Sequence, residues 1–205
     1  MPIASLAAFW AVSMLFVITP GADWAYTISA GLRRGAVIPA IAGLLLGHLT
    51  ATLIVAAGVG ALVASMPIAL SVLTVGGAAY LMWLGLASLR HAAIPSAGEA
   101  EPAQTWRGWA FKGFCVSGLN PKVFLLFLAL LPQFTRAAAP LPIPAQVIAL
   151  GAVHILNCGA VYLLVGYSSA AVLSTRPNAA RTVSRVSGGA MVGIAVLLFG
   201  EQFVR

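Results

Sequence analysis

The sequence predicts an all-α integral membrane protein. It would have six transmembrane helices in two inverted three-helix repeats, with the first helix of each repeat broken at a proline. Three observations carry that prediction. Of 205 residues, 61% are hydrophobic and only 7% charged, whereas a soluble domain carries about 25% charged residues. The apolar residues form six continuous runs instead of alternating ones, which selects helices over a barrel. The first and fourth runs each hold a proline among polar residues, where a helix loses an N–H and leaves a carbonyl without its partner.

A span needs about 20 apolar residues. The first run goes from about Ile3 to Ile18, meets Thr19-Pro20-Gly21-Ala22-Asp23, and resumes through Trp24, Tyr26 and Ile28. The second covers Val37 to Leu62 and the third Ile68 to Leu89. The fourth, Gly113 to Leu131, contains Asn120-Pro121-Lys122 and stops at Pro132-Gln133-Phe134. The fifth follows Pro140, Pro142 and Pro144 and reaches about Leu173; the sixth runs from about Val186 to Phe203. No basic stretch precedes the first run, so it reads as a span and not as a signal peptide.

Lysine and arginine set the orientation. Loops one, three and five hold Arg33, Arg34, Arg90, Arg107, Lys112, Arg176, Arg181 and Arg185, against Arg136 and Arg205 on the other side. This bias places the odd loops in the cytoplasm and both termini outside. The net charge of +7 therefore reads as topology and not as a nucleic-acid surface. Lipid is the expected surroundings, and no cofactor is expected.

The chain reads as one transporter domain, 1–205. The polar connection, about 91–112, separates repeat one (about 1–90) from repeat two (about 113–205). Three spans per half is an odd number, so equivalent halves must point opposite ways. Thr19-Pro20-Gly21 matches Asn120-Pro121-Lys122 in position, and His48 and His154 each lie twelve residues before a glycine, Gly60 and Gly166. Inverted repeats with matched interrupted helices are the pattern of secondary transporters, whose site lies where the breaks meet.

Thr19-Pro20-Gly21-Ala22-Asp23 with Gly31 and Gly35, then Gly43, Gly47-His48 and Gly77 to Leu81, resemble the lysine exporter (LysE/RhtB) family of amino-acid efflux proteins. Its most specific motif is matched by Leu119-Asn120-Pro121-Lys122, running on to Leu131-Pro132-Gln133-Phe134; Ser187-Gly188-Gly189 also fits. Ala22 stands where the family usually has a second proline. Lys122 after Asn-Pro is similar to the homoserine- and threonine-exporting branch, whereas the basic-amino-acid branch tends to have histidine. The resemblance implies export of a neutral or hydroxylated amino acid across the bacterial inner membrane, driven by a cation gradient, the proton being the expected ion.

Asp23 is the only acid in the first five runs, and Lys122 the only basic residue inside one. A zwitterion needs a partner for each end. Lys122 and the N–H groups after Pro121 suit the carboxylate; Asp23 and the carbonyls near Pro20 suit the ammonium. The bland alternatives are that Asp23 caps the next helix and Lys122 snorkels to the headgroups; the two are also able to pair with each other. Asp23, His48 and His154 are the groups able to carry a proton. Core hydrogen bonding is the expected role of the histidines, and a bond to a neighbouring helix that of Asn157.

Gly43 and Gly47 form a small face expected to pack within the monomer, with a homodimer contact as the alternative. The tryptophans read as interfacial anchors, with Trp24 set apart by its place beside Asp23. Other classes fit less well. There is no GxxxxGK[ST] phosphate loop. Cys115 and Cys158 are not matched in the two broken runs, as a thiol–disulfide carrier would require. A metal exporter wants clustered ligands, and along the chain the histidines look scattered. No nucleophile–base pair stands out for an intramembrane hydrolase.

Overall fold

Long apolar runs punctuated by proline and glycine fold into helices whose ends fall at the punctuation. The computed structural model describes residues 3–33, 35–65 and 105–172, and single positions between 75 and 90 and between 182 and 200. For 59–65, 121, 122, 125, 129 and 170–172 it describes the backbone alone. All regular structure among the described residues is helical: α1 Ile3–Val17, α2 Ala22–Gly31, α3 Val37–Ser65, α4 Trp106–Gly118, α5 Pro121–Leu130, a 3-10 turn Leu131–Phe134, and α6 Ile143–Val172.

Two described helices are long and apolar enough to cross a membrane, over Val37–Gly58 and Ile143–Ser169; α1 and α2, bent by 66° at their break, form a third if taken as one span. Leu156 and Leu164 on α6 are about 70% exposed and Leu53 and Ile54 on α3 about half exposed, an outward apolar face that fits membrane insertion. The third and sixth runs lie largely outside the described residues. Ala78 and Ala195 from them are nevertheless buried in one core with Phe9, Phe16, Val55, Phe127 and Leu150.

Close approach of backbones organises the interior. A side-chain carbon on Gly43 would lie 2.0 Å from the Ala110 carbonyl oxygen, and one on Gly47 2.6 Å from the Gly118 nitrogen. The expected small face on α3 is thus used inside the chain, against α4, where small residues let helices pack in the absence of a hydrophobic driving force. Gly35, at φ +79, makes the turn between α2 and α3 in a conformation that favours glycine.

α4 differs from the expected boundary. It starts at Trp106, inside the stretch read as a polar connection, because the Thr105 hydroxyl accepts from the Gly108 N–H at 3.1 Å and caps it. Its next turn buries Trp109 against Tyr26, with ring centroids 5.4 Å apart, so Trp109 is a core residue and not an interfacial anchor. Trp10, Trp83 and Trp106 are half or more exposed. Gln146, which the sequence did not mark, closes the loop before α6. Its Oε1 accepts from the Arg136 N–H, and its Nε2 donates to the Arg136 and Leu141 carbonyls.

Candidate functional site

Both breaks are local consequences of the chain. In the first, α1 ends where Pro20 cannot donate. Its last carbonyls are met by side chains: Thr19 Oγ1 donates to the Leu15 carbonyl at 2.7 Å, and Trp24 Nε1 reaches back to that of Val17 at 2.8 Å. α2 then starts from an extended Gly21 with no side-chain cap. In the second, α4 ends at Gly118, and Pro121 takes the first position of α5, where a missing N–H costs nothing. The Asn120 carbonyl accepts from the Val123 and Phe124 N–H groups at 3.0 and 3.4 Å.

The two breaks share one pocket. Thr19, Gly21 and Asp23 line it from the first, Asn120 from the second, and His48 and His154 from α3 and α6. It is narrow, with about 420 Å³ of empty space, mouth included. Pro20 shapes the first break without lining the pocket. The backbone puts Lys122 at the second position of α5. Its side chain lies outside what the structure describes, so the expected pairing with Asp23 falls there too.

Asp23 does not cap α2; it points inward and is 8% exposed. The Tyr162 hydroxyl donates to its Oδ2 at 2.9 Å, and His48 Nε2 lies 3.5 Å from the same oxygen. Its Oδ1 is buried and has no hydrogen-bond partner among the described residues. His48 Nδ1 lies 2.9 Å from the Leu44 carbonyl. A carbonyl only accepts, so Nδ1 carries a hydrogen. Nε2 and Oδ2 would then face each other as two acceptors, so the pair is attractive only with a proton between them.

The histidines are not scattered. The His48 and His154 rings have centroids 5.2 Å apart, because α3 and α6 pack face to face and both side chains turn inward. This corrects the expectation drawn from their distance along the chain. His154 Nδ1 lies 2.8 Å from Ser13 Oγ, and its Nε2 lies 3.4 Å from Cys158 Sγ. Asn157 Nδ2 donates to Ser13 Oγ at 3.1 Å and to the Trp10 carbonyl at 3.2 Å. Asn157 therefore ties α6 to α1, the neighbouring-helix role expected of it, and does not line the pocket. Cys115 and Cys158 are both free thiols.

The sequence did not mark Tyr162 or Ser13, and it showed Cys158 only as an unmatched cysteine of the fifth run, not as a neighbour of His154. A partial signal was there: His154, Cys158 and Tyr162 recur every fourth residue, which puts three polar side chains on one face of an apolar helix.

Comparison with known proteins gives this pocket its context. Residues 14–203 match the family model described as LysE type translocator. An uncharacterized membrane protein of Vibrio cholerae serotype O1 is 30% identical over 200 residues, covering 93% of this chain and 94% of that one. A homoserine/homoserine lactone efflux protein of Salmonella typhimurium is 32% identical over 136 residues, 65% of this chain and 66% of its own length. A leucine efflux protein of Klebsiella pneumoniae is 26% identical over 194 residues, 91% of this chain and 90% of that one. No solved structure matches. With a family match over nearly its whole length, the chain belongs to the LysE type translocator family of membrane proteins.

Proposed function

We propose that the protein exports a small neutral or hydroxylated amino acid, of the homoserine, threonine or leucine kind, across the bacterial inner membrane by exchange for a cation, the proton being the expected ion. The observation that carries this reading is Asp23 Oδ1, a buried carboxylate oxygen without a partner among the described residues, in a pocket lined by both helix breaks. An unpaired acceptor in a low-dielectric site is costly until a donor arrives, and a substrate ammonium is such a donor.

The other end of a zwitterion meets helix N-termini. α2 has no side-chain cap, and its first residues face the pocket; α5 starts at Pro121, directly after the pocket-lining Asn120. First-turn N–H groups and the positive ends of two helix dipoles favour a carboxylate, and Lys122 adds charge one residue into α5. One carboxylate serving the ammonium and the coupling cation in turn makes the exchange obligatory. The relatives named for homoserine and leucine efflux support the substrate class. Six spans in two inverted repeats, with odd loops in the cytoplasm, is the architecture this mechanism asks for.

The test is efflux from cells preloaded with labelled threonine, homoserine, leucine or lysine, with and without the protein and with and without an uncoupler. Faster efflux of at least one neutral amino acid, abolished by the uncoupler, is expected. Efflux unchanged for every neutral amino acid would refute the substrate class, and insensitivity to the uncoupler would refute proton coupling.

A further inference from the structure

The side chains beside Asp23 have a chemistry that amino-acid export does not use. One ligating atom from each of His48, His154 and Cys158 lies within 4.8 Å of the others, and all three residues are buried. We propose that His48, His154 and Cys158 form a binding site for a divalent transition metal of the zinc class, with Asp23 as a fourth ligand across the pocket.

Ligand type selects the metal. Two imidazoles and a thiolate suit zinc and similar borderline ions, whereas magnesium and calcium take oxygen. Geometry agrees. With Zn–N at about 2.0 Å and Zn–S at about 2.3 Å, nitrogen and sulfur in a tetrahedral shell lie about 3.5 Å apart. His154 Nε2 and Cys158 Sγ, one turn apart on α6, are already 3.4 Å apart. Atoms up to 4.8 Å apart within the trio need to close by about 1.3 Å to reach that spacing, a shift that side-chain rotation supplies.

Both imidazoles are presented as ligating histidines are. A metal-bound histidine characteristically has its other nitrogen held by a hydrogen-bonding group that fixes the ring. Here the Leu44 carbonyl holds His48 Nδ1 and Ser13 Oγ holds His154 Nδ1, which leaves both Nε2 atoms facing inward. Asp23 Oδ2, 3.5 Å from His48 Nε2, is steadied by the Tyr162 hydroxyl. A metal ion here stands where the Asp23–His48 pair needs a proton. It joins α2, α3 and α6 around the pocket and so holds their separation fixed.

The experiment uses purified, tag-free full-length protein in detergent, titrated with Co²⁺ as a spectroscopic substitute for zinc. One ion per chain is expected, with tetrahedral visible bands and a near-ultraviolet thiolate-to-cobalt band that zinc abolishes. Cys158→Ser should lose the thiolate band and Cys115→Ser keep it. Ser13→Ala should keep the band but weaken binding roughly 10- to 100-fold, the usual cost of removing an outer-shell partner. No thiolate band in the wild type, or a band that survives Cys158→Ser, overturns the proposal. Because Cys158→Ser risks misfolding, zinc-edge X-ray absorption on zinc-loaded Cys115→Ser protein gives a second reading. One sulfur and at least two imidazole nitrogens are expected, and an all-oxygen shell overturns it. Neither measurement involves an amino acid, so failure here leaves the efflux reading standing.

Discussion

At the scale of single residues, Asp23 concentrates the energetics. Its Oδ2 has two neighbours, Tyr162 and His48, while its Oδ1 has none among the described residues. Removing one member of a buried pair leaves an uncompensated charge and costs about 3–5 kcal/mol, whereas replacing both is often close to neutral. His48→Leu alone should therefore lower the melting temperature in detergent more than His48→Leu combined with Asp23→Asn. A double variant less stable than either single one, by the sum of their effects, would show that the two side chains do not interact. Asp23 and His48 could be singled out in the sequence because a lone acid and a histidine are rare in apolar runs. Their being partners could not, nor could Tyr162, which meets Asp23 from 139 residues away. Local composition marks an expensive side chain but does not say what offsets it.

At the scale of elements, the breaks were the most legible feature. Proline's missing donor is a property of the residue, so Pro20 and Pro121 end one helix and start another in any fold. The end of the polar connection was less legible. The start of α4 rests on the Thr105 cap, and the apolar signal that marks a span begins only a turn or more later. Packing between elements follows from glycine. The approach of α3 to α4 leaves no room for a side chain at Gly43, where the nearest atom is backbone. Gly43→Leu should thus force the two helices apart. Overpacking costs about 1–3 kcal/mol where a core adjusts, and more where only backbone is available to move. The expected result is a marked loss of monodisperse protein in fluorescence-detected size exclusion, against little change for Gly58→Leu, where nothing among the described residues lies within 4 Å. Equal behaviour of the two variants would contradict the packing described.

At the scale of the whole molecule, the long apolar helices, their exposed leucine faces and the family match agree on a membrane translocator. Composition alone had indicated the membrane. The convergence of the site had not been visible, because it needs α1, α2, α3, α5 and α6 to meet, and contacts more than a hundred residues apart leave no local trace. What had read as two scattered histidines and a lone acid is one buried group beside both helix breaks. The central claim is that Asp23 Oδ1 receives the substrate ammonium. The most direct measurement is efflux of preloaded labelled homoserine or threonine by wild type and Asp23→Asn at matched membrane abundance. A hydrogen bond to a charged group is worth about 1.5–3 kcal/mol, or roughly ten- to a hundredfold. Efflux by Asp23→Asn is therefore predicted to fall by about tenfold or more; efflux at the wild-type rate would contradict the claim.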